Sequence, residues 1–151
     1  MNIFLTIFSG VTVYVLGQIL VKLFIDPIHG YKAIVGEISI ALVNLANIYA
    51  NPGVHSVERN DAASNELRML ASKLSAQIFL IPCYSWTAKV FRLPSKEQIH
   101  EVKSNLIGLS NGVHDKGPEG GTFSLAVVNS RRAQKICNIL GIYVPDNEKI
   151  N

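Results

Sequence analysis

Few residues in this 151-residue chain have the type and spacing that chemistry demands. Zinc binding wants Cys or His in close pairs, whereas Cys83 and Cys137 stand alone and His29, His55, His100 and His114 are scattered without ligand spacing. Cys83 and the pair His100-Glu101 supply the side-chain types of a nucleophile and a base, but nothing in the sequence brings them together. The run Gly117-Pro118-Glu119-Gly120-Gly121-Thr122 has the glycines of a phosphate cradle. It lacks the Gly-Lys-Ser/Thr ending, carries an acid and a proline, and follows no strand, so it reads as a linker within a mobile loop over residues 114–122. An arginine followed four residues later by histidine, the mark of many helical ribonuclease domains, does not occur. No catalytic residue, metal ligand or cofactor is expected, and nucleic acid is not indicated as a partner.

The element that dominates the chain is apolar. Residues 1–21 carry no charged side chain, and the run 3–25 is interrupted only by Lys22 and a few small or amide residues. As a helix that run spans about 35 Å, enough to cross a hydrocarbon layer of about 30 Å. A secretory signal would want a basic start and a small-x-small cleavage site, and the sequence supplies Gln18, Lys22, Asp26 and Pro27 instead, so an uncleaved anchor is expected. Lys22 and Lys32 follow the span with no basic side chain before it, which puts the C-terminal side in the cytoplasm. Two thiols without a disulfide framework fit a reducing compartment.

The remainder, residues 26–151, is long enough for one modest core. Its pattern is helical nearly throughout. Ile34, Ile38, Leu42, Leu45 and Tyr49 recur at helical spacing until Asn51-Pro52-Gly53, predicting a helix over residues 31–50 that is apolar nearly all round. It is either central to a core or a second membrane span; an unpaired Glu37 in hydrocarbon would cost a few kcal/mol, which favours the core. With Asp61 as N-cap, Leu67, Leu70, Ala71, Leu74, Ile78 and Ile81 form the next stripe, ending at Pro82. The aromatic-rich stretch 82–94 follows, and Ser95-Lys96-Glu97-Gln98 then makes a capping box for a stripe of Ile99, Val102, Leu106 and Leu109. A last helix ends at Leu140 with Gly141 as its C′ residue, starting near Phe123 if long and at Ser130 if short. Only residues 123–128 lean toward β structure, and they have no partner strand. The expected fold is all-α: a transmembrane anchor over residues 1–25 followed by a compact bundle of about four helices over 26–151.

Several phrases, Val15-Leu16-Gly17-Gln18-Ile19-Leu20 running on to Asp26-Pro27, Ala46-Asn47-Ile48-Tyr49-Ala50-Asn51-Pro52, Leu80-Ile81-Pro82, Arg92-Leu93-Pro94-Ser95 and Asn105-Leu106-Ile107-Gly108-Leu109-Ser110-Asn111, resemble a group of short, uncharacterised bacterial single-span membrane proteins. The resemblance covers roughly residues 15–111 and implies a bacterial inner-membrane address, with no particular activity.

Two surfaces stand out. On the anchor, Asn2, Thr6, Ser9, Gly10 and Gly17 fall within one arc at about 100° per residue, a face through which it can meet another copy or the helix over residues 31–50. Between Glu66 and Glu97 there is no acid, while Arg68, Lys73, Lys89, Arg92 and Lys96 lie in that interval beside Phe79, Tyr84, Trp86 and Phe91. Cations interleaved with aromatics suit the headgroup layer, and Trp86, Lys89, Phe91 and Arg92 are the expected membrane-surface contacts. The alternative is that Phe79, Trp86 and Phe91 fill the core with the cations solvated outside it. The expected function is a membrane-anchored helical interaction protein that recruits or restrains a cytosolic partner at the inner membrane. An oligomeric pore or membrane-disrupting effector, and a membrane-bound enzyme with an unrecognised site, are the competing readings. The lipid bilayer is the first partner in each, with a protein partner or a homo-oligomer beside it.

Overall fold

Asp26-Pro27 does not break the first helix. In the computed structural model, which describes residues 2–114 and 122–143, α1 (Asn2–Leu20) passes through a π-helical turn (Val21–Ile25) directly into α2 (Asp26–Asn44). The Asp26 N–H reaches back five residues to the Val21 carbonyl. A proline inside a regular helix lacks its own N–H and drives its ring into the carbonyl four residues earlier; the wider π turn just before Pro27 relieves that clash. The apolar helix running Ile3–Asn44 is thus a single 42-residue rod, about 63 Å long at 1.5 Å per residue. The boundary expected between an anchor over residues 1–25 and a helix over residues 31–50 is a change of helical pitch.

The two halves of the rod have opposite surroundings. None of the apolar window of α1 is buried, and that half is long and apolar enough to cross a membrane; among the described residues no other helix is. The α2 half builds the core instead, burying Tyr31, Ile38, Ala41 and Leu42. Helix α2 ends at Leu45 (φ −93°, ψ 2°), where the chain turns into the short α3 (Ala46–Ala50). Glu37, whose cost in hydrocarbon argued against a second span, lies exposed with its carboxylate 2.8 Å from the Lys73 Nζ on the facing helix.

Helix α4 (Val57–Phe79) starts one turn before the expected cap: Ser56, in extended conformation, accepts from the Arg59 N–H, and Asp61 lies inside the helix. Serine at that position leaves its hydroxyl free to take an orphan amide, and it comes early enough to include Val57 and Glu58. The stripe Leu67, Leu70, Ala71 and Leu74 is buried as its spacing predicts, and so is the stripe of Ile99, Val102, Leu106 and Leu109 on α6 (Lys96–Gly112). The capping box is complete, with Ser95 Oγ accepting from the Gln98 N–H and Gln98 Oε1 accepting from the Ser95 N–H. Helix α7 (Thr122–Leu140) takes the longer of the two starts, and the β-leaning stretch 123–128 is helical, β propensity being a weak preference without a partner strand. Gly141 has φ +68° and Ile142 N–H donates to the Cys137 carbonyl, closing the helix as expected. Most of the expected loop, residues 115–121, lies outside the described residues.

The core forms where α2, α4, α6 and α7 meet, centred on Ile38, Leu67, Leu74, Leu106 and Ile136. Truncating any one of these to Ala costs about 2–5 kcal/mol. Close approach of α6 and α7 depends on Gly112, where a Cβ would lie 2.5 Å from Asn129 Oδ1. Asn129 is fully buried and donates to the Tyr49 carbonyl at 3.0 Å, tying α7 to the end of α3. At the other end Gln77 Nε2 donates to the Pro27 carbonyl at 2.8 Å, and Gly30 has no side chain to obstruct that amide. This contact straps α4 to the rod at the point where it leaves the core.

Candidate membrane-facing surface

The aromatic stretch 82–94 is itself a helix, α5 (Tyr84–Phe91), held at both ends by non-glycine residues in left-handed conformation: Cys83 at φ 46° and Arg92 at φ 53°. Such residues are costly, of order 1 kcal/mol, and persist where the surroundings over-determine them. Here the surroundings are hydrogen bonds. Thr87 Oγ1 donates to the Pro82 carbonyl at 2.8 Å, Leu93 N–H donates to the Ala88 carbonyl at 2.9 Å, and Tyr84 Oη donates to the Pro94 carbonyl at 2.6 Å. Burial pushes the Tyr84 hydroxyl up to about 12, and burial followed by the nearby Tyr84 raises Tyr31 as well. Sequence periodicity gave no sign of this helix, because eight residues between two prolines hold barely two turns.

Its outward side is unusually apolar. Phe79 is 89% exposed and Trp86 61%, with Leu80 and Val90 also more than half exposed and Phe91 at 37%. That overturns the reading in which Phe79, Trp86 and Phe91 fill the core; Tyr84, Thr87 and Ala88 occupy the inward side of α5 instead. The exposed residues gather at one end of the bundle. Trp86 packs edge-on against Phe24 in the π turn, with ring centroids 6.4 Å apart. Helix α4 runs antiparallel to α2, with Lys73 beside Glu37 and Gln77 beside Pro27, which brings Phe79 and Leu80 to the level of the same π turn. Lys89 and Arg92 are exposed on α5 and its C-terminal turn. An apolar and aromatic surface with two cations therefore surrounds the base of the exposed rod.

Between α2, the turn after α5 and the end of α7 lies an open groove of about 450 Å³. Tyr31, Lys32, Arg92, Gln98 and Asn138 supply its polar lining, with Phe91 and other apolar side chains beside them. The C-terminal flank of α1 is less cationic than its sequence suggests, since Lys22 Nζ sits 2.9 Å from Asp26 Oδ2.

On α1, Ser9, Gly10 and Gly17 are exposed, and a Cβ at either glycine would meet nothing within 4 Å. Thr6 is exposed on the same arc. Because α1 and α2 are one rod, the residues over 31–50 cannot fold back onto this face, so that version of the association is excluded. Cys83, His100 and Glu101 are not assembled into a site: Glu101 pairs with Lys135 at 3.2 Å, and Cys83 stands at the α4–α5 turn. Both cysteines are free, Cys83 exposed and Cys137 buried. Among the described residues no three His, Cys, Asp or Glu side chains gather as a metal site would require. No protein-family model, curated protein or solved structure matches the chain.

Proposed function

We propose that this chain is a membrane-anchored interaction protein of the bacterial inner membrane, whose helical domain recruits or restrains a cytosolic partner at a fixed height above the bilayer. The observation that carries this reading is the unbroken helix Ile3–Asn44, exposed along its first half and built into the core along its second. A flexible linker would let a domain wander; a helix continuous with the core fixes both distance and orientation. The exposed Phe79, Leu80 and Trp86 at the base of the rod support seating against the headgroup layer, where apolar rings and cations are both accommodated. Lys32, Lys89 and Arg92 at the same end favour the cytoplasmic leaflet.

A partner would then meet the opposite end. Val43 is 74% exposed and Val54 is 70%, with Val57 close behind, and all three lie where α2 ends and α4 begins. A photo-crosslinking residue placed in living cells at Trp86 or at Val54 tests both halves of the reading. Position 86 is expected to give lipid adducts and position 54 protein adducts, with the chain in the membrane fraction. Recovery in the soluble fraction, or protein adducts at 86 with none at 54, would overturn it.

A further inference from the structure

We infer that the groove beside α5 binds the headgroup of an anionic, hydroxyl-bearing phospholipid through its phosphodiester, glycerol phosphate being the shared chemistry. The inference rests on the membrane-anchored reading and goes beyond it, from general seating to a selective site. Its charge asymmetry is the first support. Lys32 and Arg92 line the groove from α2 and from the turn after α5, and among the described residues no carboxylate lines it and neither cation is engaged in an ion pair. Glu97, next to the lining Gln98, is exposed and does not line the groove.

The second support is the polarity of the two helix ends that meet here. Helix α6 opens at Ser95, bringing a positive N-terminal end toward Arg92, while α7 closes at Leu140, leaving carbonyls that need donors. Among the described residues, the Cys137 carbonyl alone of these receives a backbone bond from the following turn, from the Ile142 N–H. A phosphate suits the end with Lys32, Arg92 and the α6 terminus, and headgroup hydroxyls suit the acceptor end beside Asn138. Gln98 Oε1 is committed to the cap, so its amide N–H₂ remains for the ligand. Val35, Phe91, Leu93 and Ile139 provide apolar wall for the glycerol backbone.

Height is the third. Lys32 lies about 12 Å along the rod from Phe24, and helix side chains lean toward the N-terminus, here toward the bilayer. With a headgroup layer of about 5–7 Å outside the hydrocarbon, the lysine stem reaches a lipid phosphate without extracting the lipid.

The test uses the full-length chain in mild detergent, with phosphatidylglycerol and phosphatidylcholine of identical acyl chains competing for it by native mass spectrometry. Wild type is expected to prefer phosphatidylglycerol at least tenfold. Lys32→Gln with Arg92→Asn should bring the ratio near one, while Arg59→Gln, an exposed cation at the opposite end of the bundle, should leave it unchanged; asparagine is chosen because it tolerates the left-handed backbone at position 92. A wild-type ratio near one, a preference that survives the double substitution, or an equal loss with Arg59→Gln would overturn the site. Soluble glycerol phosphate binding as tightly as the lipid would identify a free phosphate ester as the ligand and overturn the lipid assignment. Because micelles require no seating on a bilayer, failure here is separable from failure of the anchored reading, which fractionation of cells decides.

Discussion

Replacing Phe79 by Ala in the intact chain should weaken the seating of the bundle on the headgroup layer without releasing the chain from the membrane. A fully buried aromatic removes about 150–250 Å² from water. At 89% and 61% exposure, Phe79 and Trp86 together offer roughly 300 Å² of ring surface. At about 25 cal/mol per Å² that is a ceiling of roughly 7 kcal/mol, and half-immersion realises about 3–4 kcal/mol. Lys89 and Arg92 add about 1 kcal/mol each against an anionic leaflet, and 1 M salt removes most of that by shrinking the screening length to about 3 Å. The apolar contribution wins, so docking should weaken with salt but survive it. Trp86 is the sole tryptophan, which makes fluorescence specific. In nanodiscs, lipids brominated near the headgroup should quench it at low and high salt alike, and Phe79→Ala should halve the effect. Quenching by aqueous iodide with none by brominated lipid would refute the immersion, and complete loss of lipid quenching in 1 M salt would refute the ranking of the two forces.

Other outcomes follow from single contacts. Because burial pushes the Tyr84 hydroxyl up to about 12, its contribution is complete below pH 10 and drains away as pH rises from 10 through 12; Tyr84→Phe should lessen the alkaline loss of stability, with buried Tyr31 supplying the remainder, followed by circular dichroism. Gly112→Ala should destabilise by about 1–3 kcal/mol because buried Asn129 cannot retreat, whereas Gly108→Ala should be nearly neutral, since the long Arg132 side chain in its way can swing aside, losing about 1 kcal/mol of hydrogen bond to the Gly108 carbonyl while the helix gains a similar amount of propensity; thermal melts separate the two. Gly30→Ala displaces the Gln77 amide from Pro27, losing about 1 kcal/mol of hydrogen bond and gaining a similar amount of helix propensity, so it should be silent alone but stabilising by about 1 kcal/mol in a Gln77→Ala background. Gly10→Leu with Gly17→Leu should leave the melting temperature of the bundle at its wild-type value, both sites being open, and any change in the ladder of cross-linked species in native membranes then reports contacts between copies through the anchor.

The sequence by itself determined the all-α class, the apolar N-terminal span, the two stripes Leu67 to Leu74 and Ile99 to Leu109, the Ser95 capping box and the Gly141 terminus. Each of these is written in local spacing or in one residue's backbone preference, so no distant contact is needed to read it. Tertiary structure alone decided the rest. Pro27 looks like a helix end in sequence, yet the π turn and the strap from Gln77 carry the helix through it, because the α2 stripe gains more by packing on α4 than a regular pitch would. Glu37 looks unpaired until Lys73, thirty-six positions later in the chain, is brought opposite. Helix α5 is too short for periodicity, and whether its rings face the core or the surface depended on Tyr84 reaching Pro94 and on Trp86 meeting Phe24, contacts fixed by the packing of the longer helices. The groove with Lys32 and Arg92 joins three elements spread over more than a hundred residues of sequence, and only the closing of the bundle brings its charges to one place.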